Sequence, residues 1–183
     1  MKRSKVKLIG FSVILIIILI IAFTPPGIEA HETKRLMNAP HGIVWSVIAD
    51  IENYHKYATG LTEVKIISGK GEGMVRACSD AISTWTETCT KWVEGESYSF
   101  DVNTDTGFPF PFDIFNGTWS LEKQSEDETL IIVNFKYRFS YRWLKWFYND
   151  DTYMAIDKGN TTLLNNWSKK IKEVAADQLS LSE

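Results

Sequence analysis

Along most of this chain apolar residues recur with one of two periods, and the element changes where the period changes. Over residues 151–176, Tyr153, Ile156, Asn160, Leu163, Leu164, Trp167, Ile171 and Val174 follow at steps of three and four. At 3.6 residues per turn this lays them along one stripe of a helix. Lys158, Lys169, Lys172, Glu173 and Asp177 fall on its other faces. Asp150 and Asp151 stand where they would cap the first amides and complement the positive helix end. A helix with one apolar face needs a partner, and upstream the period is two. Ile131, Val133, Phe135, Tyr137 and Phe139 point one way, with Asn134, Lys136 and Arg138 opposite. Tyr98, Phe100 and Val102 alternate with Ser99, Asp101 and Asn103, the mark of a sheet with one wet side. Further strands are predicted at 61–68, 74–80, 85–93 and 116–123, with turns at Gly69-Lys70-Gly71-Glu72-Gly73 and Glu94-Gly95-Glu96. Before them come an extended segment at 31–38 and two short helices. One is opened by Pro40 and buries Ile43, Val44, Val47 and Ile48, and the other covers 51–57. This order predicts an α+β domain in which an antiparallel sheet of about seven strands curls around the last helix.

Residues 8–23 (LIGFSVILIIILIIAF) carry no charge and follow Lys2, Arg3, Lys5 and Lys7. As a helix the run would span on the order of 25 Å, slightly short of a ~30 Å hydrocarbon core, a gap that snorkelling lysines close. Pro25-Pro26-Gly27 then ends it. A cleaved signal peptide would want a small-x-small site, and Ile28-Glu29-Ala30 places a bulky residue at one of the two positions. The pattern therefore favours an uncleaved single-pass membrane anchor, with the N-terminus cytoplasmic and the domain outside the membrane. The chain divides into a basic segment with its anchor (1–30), one domain (31–178) and a frayed tail (179–183).

Charge and composition narrow the function. The chain carries a net charge of -3, but residues 31–183 hold 16 basic against 22 acidic residues. A domain at -6 is a poor partner for a phosphate backbone, so nucleic acid is not expected. Aromatic residues make up 13% of the chain, including seven Trp and ten Phe. That is enough bulk to fill a core and also to line a cavity.

Certain residues in this order resemble a known family. They are Ala39-Pro40 followed by Val44-Trp45, Ala49-Asp50 with Tyr54 and Tyr57, Gly73-x-Val75-Arg76, and Trp85-x-Glu87. Further on come Pro109-Phe110-Pro111-Phe112, Gly117-Thr118-Trp119-x-Leu121 and Phe135-x-Tyr137. Together, over residues 31–173, they resemble the START-related helix-grip superfamily in its polyketide cyclase/dehydrase and lipid-transport-like (SRPBCC) branch. The resemblance implies a seven-stranded sheet gripping the C-terminal helix, with an apolar cavity between them closed by the two short helices. It implies ligand binding more than any one reaction, because the superfamily includes coenzyme-Q-binding proteins, hydrophobic-hormone receptors and some cyclases. The anchor and an aromatic insert at 141–148 depart from the usual pattern.

Candidate site residues follow from the inward faces. Trp85, Phe100, Trp119, Phe135 and Tyr137 either pack the core or form the wall of a cavity that one helix cannot fill. Glu87 shares a face with Trp85 and Cys89, and Arg76 on the neighbouring strand can pair with it. Such a buried pair is either a structural clamp or the polar end of a ligand site. The loop Gly107-Phe108-Pro109-Phe110-Pro111-Phe112 is greasy enough to need cover, and Phe110 and Phe112 are expected on a cavity lid. Asn160, beside Gly159 in mid-stripe, is either a buried amide bonded to a neighbour or a ligand contact. The insert YRWLKWFY reads as a strand end with a packed loop, or as a membrane-interface segment of aromatic and basic residues.

Cys78 and Cys89 lie on neighbouring strands and would meet in a disulfide if a two-residue turn fell at Ser83-Thr84. His31, His41 and His55 have no metal-ligand spacing, and there is no nucleophile set, phosphate loop or metal motif, so no metal, catalytic residue or cofactor is expected. Asn116, Asn160 and Asn166 begin glycan-acceptor triplets that read as chance matches. The preferred function is membrane-anchored binding or transport of a hydrophobic small molecule (lipid, quinone, isoprenoid or polyketide-like). The alternatives are a cavity enzyme of cyclase or dehydratase type using Glu87 or a tyrosine, and a protein-interaction module working through the insert.

Overall fold

The computed structural model describes residues 2–180, with side chains from Gly10 to Gln178 and at Ser180. After α1 (Lys2–Phe23) come β1 (Glu29–Met37), α2 (His41–Ile48), a single 3-10 turn η1 (Tyr54–Lys56), and six strands. These are β2 (Glu63–Ser68), β3 (Val75–Ser79), β4 (Thr84–Val93), β5 (Ser97–Val102), β6 (Phe112–Lys123) and β7 (Thr129–Phe139), and α3 (Arg142–Ser180) follows them. All seven strands form one sheet in the order β1-β7-β6-β5-β4-β3-β2, antiparallel at each pairing. β1 reaches β7 because α2 and η1 carry the chain to the far edge before the meander of hairpins begins.

The sheet curves for local reasons. Register shifts at Ile66/Ser68, Cys89/Lys91 and Phe112/Ile114 insert extra residues that bend a strand. On β6, Gly117 faces the concave side, where an added Cβ would stand 2.5 Å from the Trp119 ring and 2.9 Å from the Phe135 ring. Only a residue without a side chain lets those two rings lie across the strand. α3 crosses the hollow, and its lower half fills it: Leu163, Leu164, Trp167 and Ile171 are buried against Met37, Ile131, Val133 and α2. Tyr98 ties the far side by donating its hydroxyl to the Ile48 carbonyl at the end of α2, at 2.7 Å.

Several expectations need correction. The segment 51–57 forms only one 3-10 turn. The insert at 141–148 is neither strand nor loop: α3 begins at Arg142 and is 39 residues long. Asp150 and Asp151 are consequently interior to the helix and cap nothing. The first amide is instead satisfied from far away, Arg142 N donating to the Thr24 carbonyl at 2.9 Å. Tyr153 is half exposed, its ring edge-on to His31 at 4.4 Å.

The two cysteines are free and buried. A Ser79↔Thr84 pairing leaves four residues in the turn, so Cys78 faces Trp85 while Cys89 faces Phe100. The glycan triplets are engaged as well, for Asn116 bonds Asp101, Asn160 bonds Thr33 and Asn166 bonds the Tyr57 carbonyl. Of the tail, residues 181–183 lie outside the described residues. Along α1 the side chains of the basic cluster and of Leu8 and Ile9 also lie outside them. Among the described residues no helix is long and apolar enough to cross a membrane.

Candidate functional site: a cavity between sheet and helix

The upper half of α3 does not fill the hollow. Where Leu163 and Trp167 plug the lower part, the same face higher up carries Thr152, Ala155 and Gly159, residues too small to reach the sheet. The result is a cavity of about 480 Å³, within the range of small-molecule sites. Its wall is mainly aromatic. Trp85, Phe100, Phe115, Trp119 and Phe135 come from four adjacent strands and Tyr54 from the 3-10 turn. Edge-to-face contacts hold the rings against each other, with Trp119 at 5.5 Å from Phe135 and Tyr54 at 5.6 Å from Trp119. Exposed residues among the lining mark the mouth: Thr59 and Gly60 on one side, Phe110 on another, and Asp151 and Ala155 on α3.

One polar cluster interrupts this apolar wall. Arg76 and Glu87 are direct partners across β3 and β4. Arg76 Nε and Nη2 donate to Glu87 Oε2 at 2.9 and 2.6 Å, and Trp85 Nε1 donates to Oε1 at 2.9 Å. The guanidinium lies 3.8 Å above the Phe100 ring and 5.1 Å from that of Tyr54, so rings and carboxylate together replace its hydration. Burial opposes the Arg76 cation, but the Glu87 carboxylate outweighs it and holds the group above its ordinary pKa. Arg76 Nη1 is buried and has no hydrogen-bond partner among the described residues. Burial also pushes the Tyr54 hydroxyl and the Cys78 thiol upward, so both stay protonated at neutral pH. The cluster therefore presents a fixed cation and a neutral phenol. Such groups suit holding an acceptor oxygen.

Of the nine residues singled out from the sequence, eight line the cavity: Trp85, Glu87, Phe100, Phe110, Phe112, Trp119, Phe135 and Asn160. Tyr137 does not. It is 2% exposed and belongs to a separate cluster with Phe112, Phe139 and Leu144. Asn160 is both a lining residue and a bonded amide, Nδ2 donating to Thr33 Oγ1 at 3.1 Å. Thr33 Oγ1 lies 3.3 Å from His31 Nε2, which in turn is 3.3 Å from Asp157. The lid loop is present. Gly107 has φ +76°, and a Cβ there would stand 2.0 Å from the Thr84 carbonyl oxygen. This close approach brings Phe108 onto Trp85, with ring centroids 5.4 Å apart. Tyr54, Phe108, Phe115 and Tyr148 line the cavity without having been singled out as site residues.

A curved seven-stranded antiparallel sheet, two short helical elements and a long C-terminal helix enclosing an apolar cavity define a helix-grip, START-like fold. The chain belongs to the family described as polyketide cyclase / dehydrase and lipid transport, whose model matches residues 30–171. Among solved structures it is similar to TTHA0849 from Thermus thermophilus, with a TM-score of 0.66 at 15% identity over 80% of this chain and 99% of that one. It is also similar to the Zhui aromatase/cyclase from a Streptomyces species, with a TM-score of 0.63 at 14% identity over 80% and 94% of the two chains. A START superfamily protein from Mycobacterium smegmatis gives a TM-score of 0.64 at 11% identity over 79% and 98%. At these identities the likeness is one of fold. No curated protein matches the chain in sequence.

Proposed function

We propose that this chain is a membrane-tethered carrier or sensor of a hydrophobic small molecule with one oxygen-bearing polar end. The observation that supports this most is the composition of the cavity wall: rings across the sheet side, small residues along α3, and a single cationic donor cluster at Arg76. A lipid, quinone, isoprenoid or polyketide-like molecule fits that description, its apolar body against Phe100, Trp119 and Phe135 and its acceptor oxygen at Arg76 Nη1. The tether is α1. From Phe11 to Phe23 its large apolar side chains are 44–67% exposed, which leaves them for lipid to cover. The basic residues before it favour a cytoplasmic N-terminus and a domain on the other side of the membrane.

Native mass spectrometry of the full chain released from nanodiscs tests the ligand. The expected result is an added mass of one small hydrophobic molecule per chain. A chain that is always bare, and that takes up neither its host's lipid extract nor cis-parinaric acid, would refute the carrier reading. Alkaline carbonate washing of membranes tests the tether, which predicts retention in the pellet.

A further inference from the structure

Beside the cavity mouth lies an apolar surface that the proposed function leaves unexplained. Trp146, Phe147 and Tyr148 in the first turns of α3 are 57%, 73% and 50% exposed, and Phe110 on the lid loop is 54% exposed. Exposed aromatic side chains in that number at the start of one helix and on the neighbouring lid loop call for a cover. Their position relative to α1 indicates which. The end of α1 is fastened to the start of α3: Arg142 N donates to the Thr24 carbonyl at 2.9 Å, and Arg142 Nη2 to that of Pro25 at 3.5 Å. Lys145 pairs with Glu29, the Phe23 and Tyr141 rings meet edge-on at 5.7 Å, and Ala22 is buried.

If α1 spans a bilayer, Thr24 stands where the apolar run leaves the hydrocarbon, and Arg142 stands beside it. Trp146 to Tyr148 lie four to six residues further on, about 6–9 Å along the helix. The interfacial layer on each side of a bilayer is of similar depth, roughly 5–8 Å, and is where aromatic rings settle.

Two of these aromatics, Phe110 and Tyr148, also border the cavity. Phe110, Phe112, Tyr148 and Thr152 line both the main cavity and an adjoining apolar recess that also touches Leu144. We infer that this edge is a bilayer-docking surface and the portal of the cavity, so that ligand passes between Phe110 and Tyr148 directly from the lipid interface. The inference rests on the membrane reading of α1 and adds where the domain sits and which way the cavity opens.

The test uses the full chain in phosphatidylcholine vesicles whose acyl chains are brominated either near the headgroup or near the chain end. Trp146→Phe serves as the reference, and the fluorescence difference between wild type and variant isolates Trp146. Subtraction removes quenching of cavity tryptophans by a bound lipid. The expected result is loss of the difference signal with bromine near the headgroup and little loss with bromine at the chain end. A chain retained after carbonate washing whose Trp146 signal is unquenched would overturn the docking inference alone. So would crosslinking of Trp146 to a second protein in the membrane, since a protein and not lipid would then cover the patch. A chain released by carbonate would overturn the tether, and the docking with it.

Discussion

Gly159 offers a way to close the cavity without damaging the fold. It lies on the α3 face shared by Ile156, Asn160 and Leu163, it lines the cavity, and a Cβ built there meets no atom within 4 Å. Glycine in a helix interior costs about 0.5–1 kcal/mol relative to alanine, because the unfolded chain loses more freedom. Gly159→Ala should therefore stabilise the empty domain by that amount, which in a chain of this size raises Tm by about 1–4 °C. Gly159→Leu should keep most of this gain while placing an isobutyl group where the ligand lies. Overpacking of an occupied site costs about 1–3 kcal/mol, which is roughly a 5- to 150-fold loss of affinity. The assay is a thermal melt with and without cis-parinaric acid, read by circular dichroism, alongside a fluorescence titration of the probe. The leucine variant should melt higher than wild type when empty and gain much less from the probe, and the alanine variant should melt higher and still respond. A leucine variant that melts lower would mean that the hollow is packed solid. One that melts higher and binds the probe as wild type does would place the ligand elsewhere.

Two further outcomes follow from the buried polar groups. Glu87→Ala leaves the Arg76 cation without its carboxylate and should cost about 3–5 kcal/mol in a denaturant titration, whereas Arg76→Met with Glu87→Leu should recover most of that stability yet lose selectivity for probes bearing a carboxylate. Equal losses from the single and double changes would show that the cost of Glu87→Ala does not come from a stranded Arg76 cation. Burial raises the pKa values of Tyr54, Tyr98 and the Cys78 thiol, so stability should begin to fall above about pH 9, where the unfolded thiol ionises, and more steeply above about pH 10, by about 1.4 kcal/mol per pH unit for each group. The sign is fixed because only the unfolded thiol and tyrosines release protons there. Tyrosinate absorbance appearing at the ordinary pH for both groups in the still-folded domain would contradict it.

Much of this fold can be read from period alone, because a two-residue alternation settles which side chains share a face. That is why Trp85 and Glu87 on β4, Phe100 on β5 and Trp119 on β6 could be grouped before any coordinates, and why Arg76 could be paired with Glu87. The alternation does not say how far along a face the cavity extends. Tyr137 has the same parity as Phe135, but stands two residues further toward a part of the sheet already filled by Phe112, Phe139 and Leu144. Phe115 was hidden for a different reason. It shares the parity of Gly117 and Trp119, but the strand predicted from the sequence begins at Asn116, whereas β6 starts at Phe112, before a register shift at Phe112/Ile114. The start of α3 was the largest misreading. Its first turns have apolar residues all round, and Asp150 and Asp151 imitate a cap, while the true partner of its first amide is the Thr24 carbonyl more than a hundred residues away.

The position of the cavity can be traced to side-chain size along one helix. α3 presents the same stripe to the sheet throughout, but from Leu163 onward the stripe is Leu, Leu, Trp and Ile, and before it the positions are Thr152, Ala155, Ile156, Gly159 and Asn160. The sheet does not compensate with longer side chains opposite the small ones. It tiles that region with flat rings, held edge to face, which cover a wall without occupying the space in front of it. A cluster of rings that merely packed a core would interdigitate with the helix, as Trp167 does with Tyr54 lower down. The unfilled half is also the half whose helix begins at the end of α1. Shifting the small residues two turns along α3 would leave the fold its core, but would move the cavity away from the end of the domain fastened to α1. The placement of Gly159 and Ala155 upstream of Leu163 is thus what brings the apolar cavity and the edge fastened to α1 together.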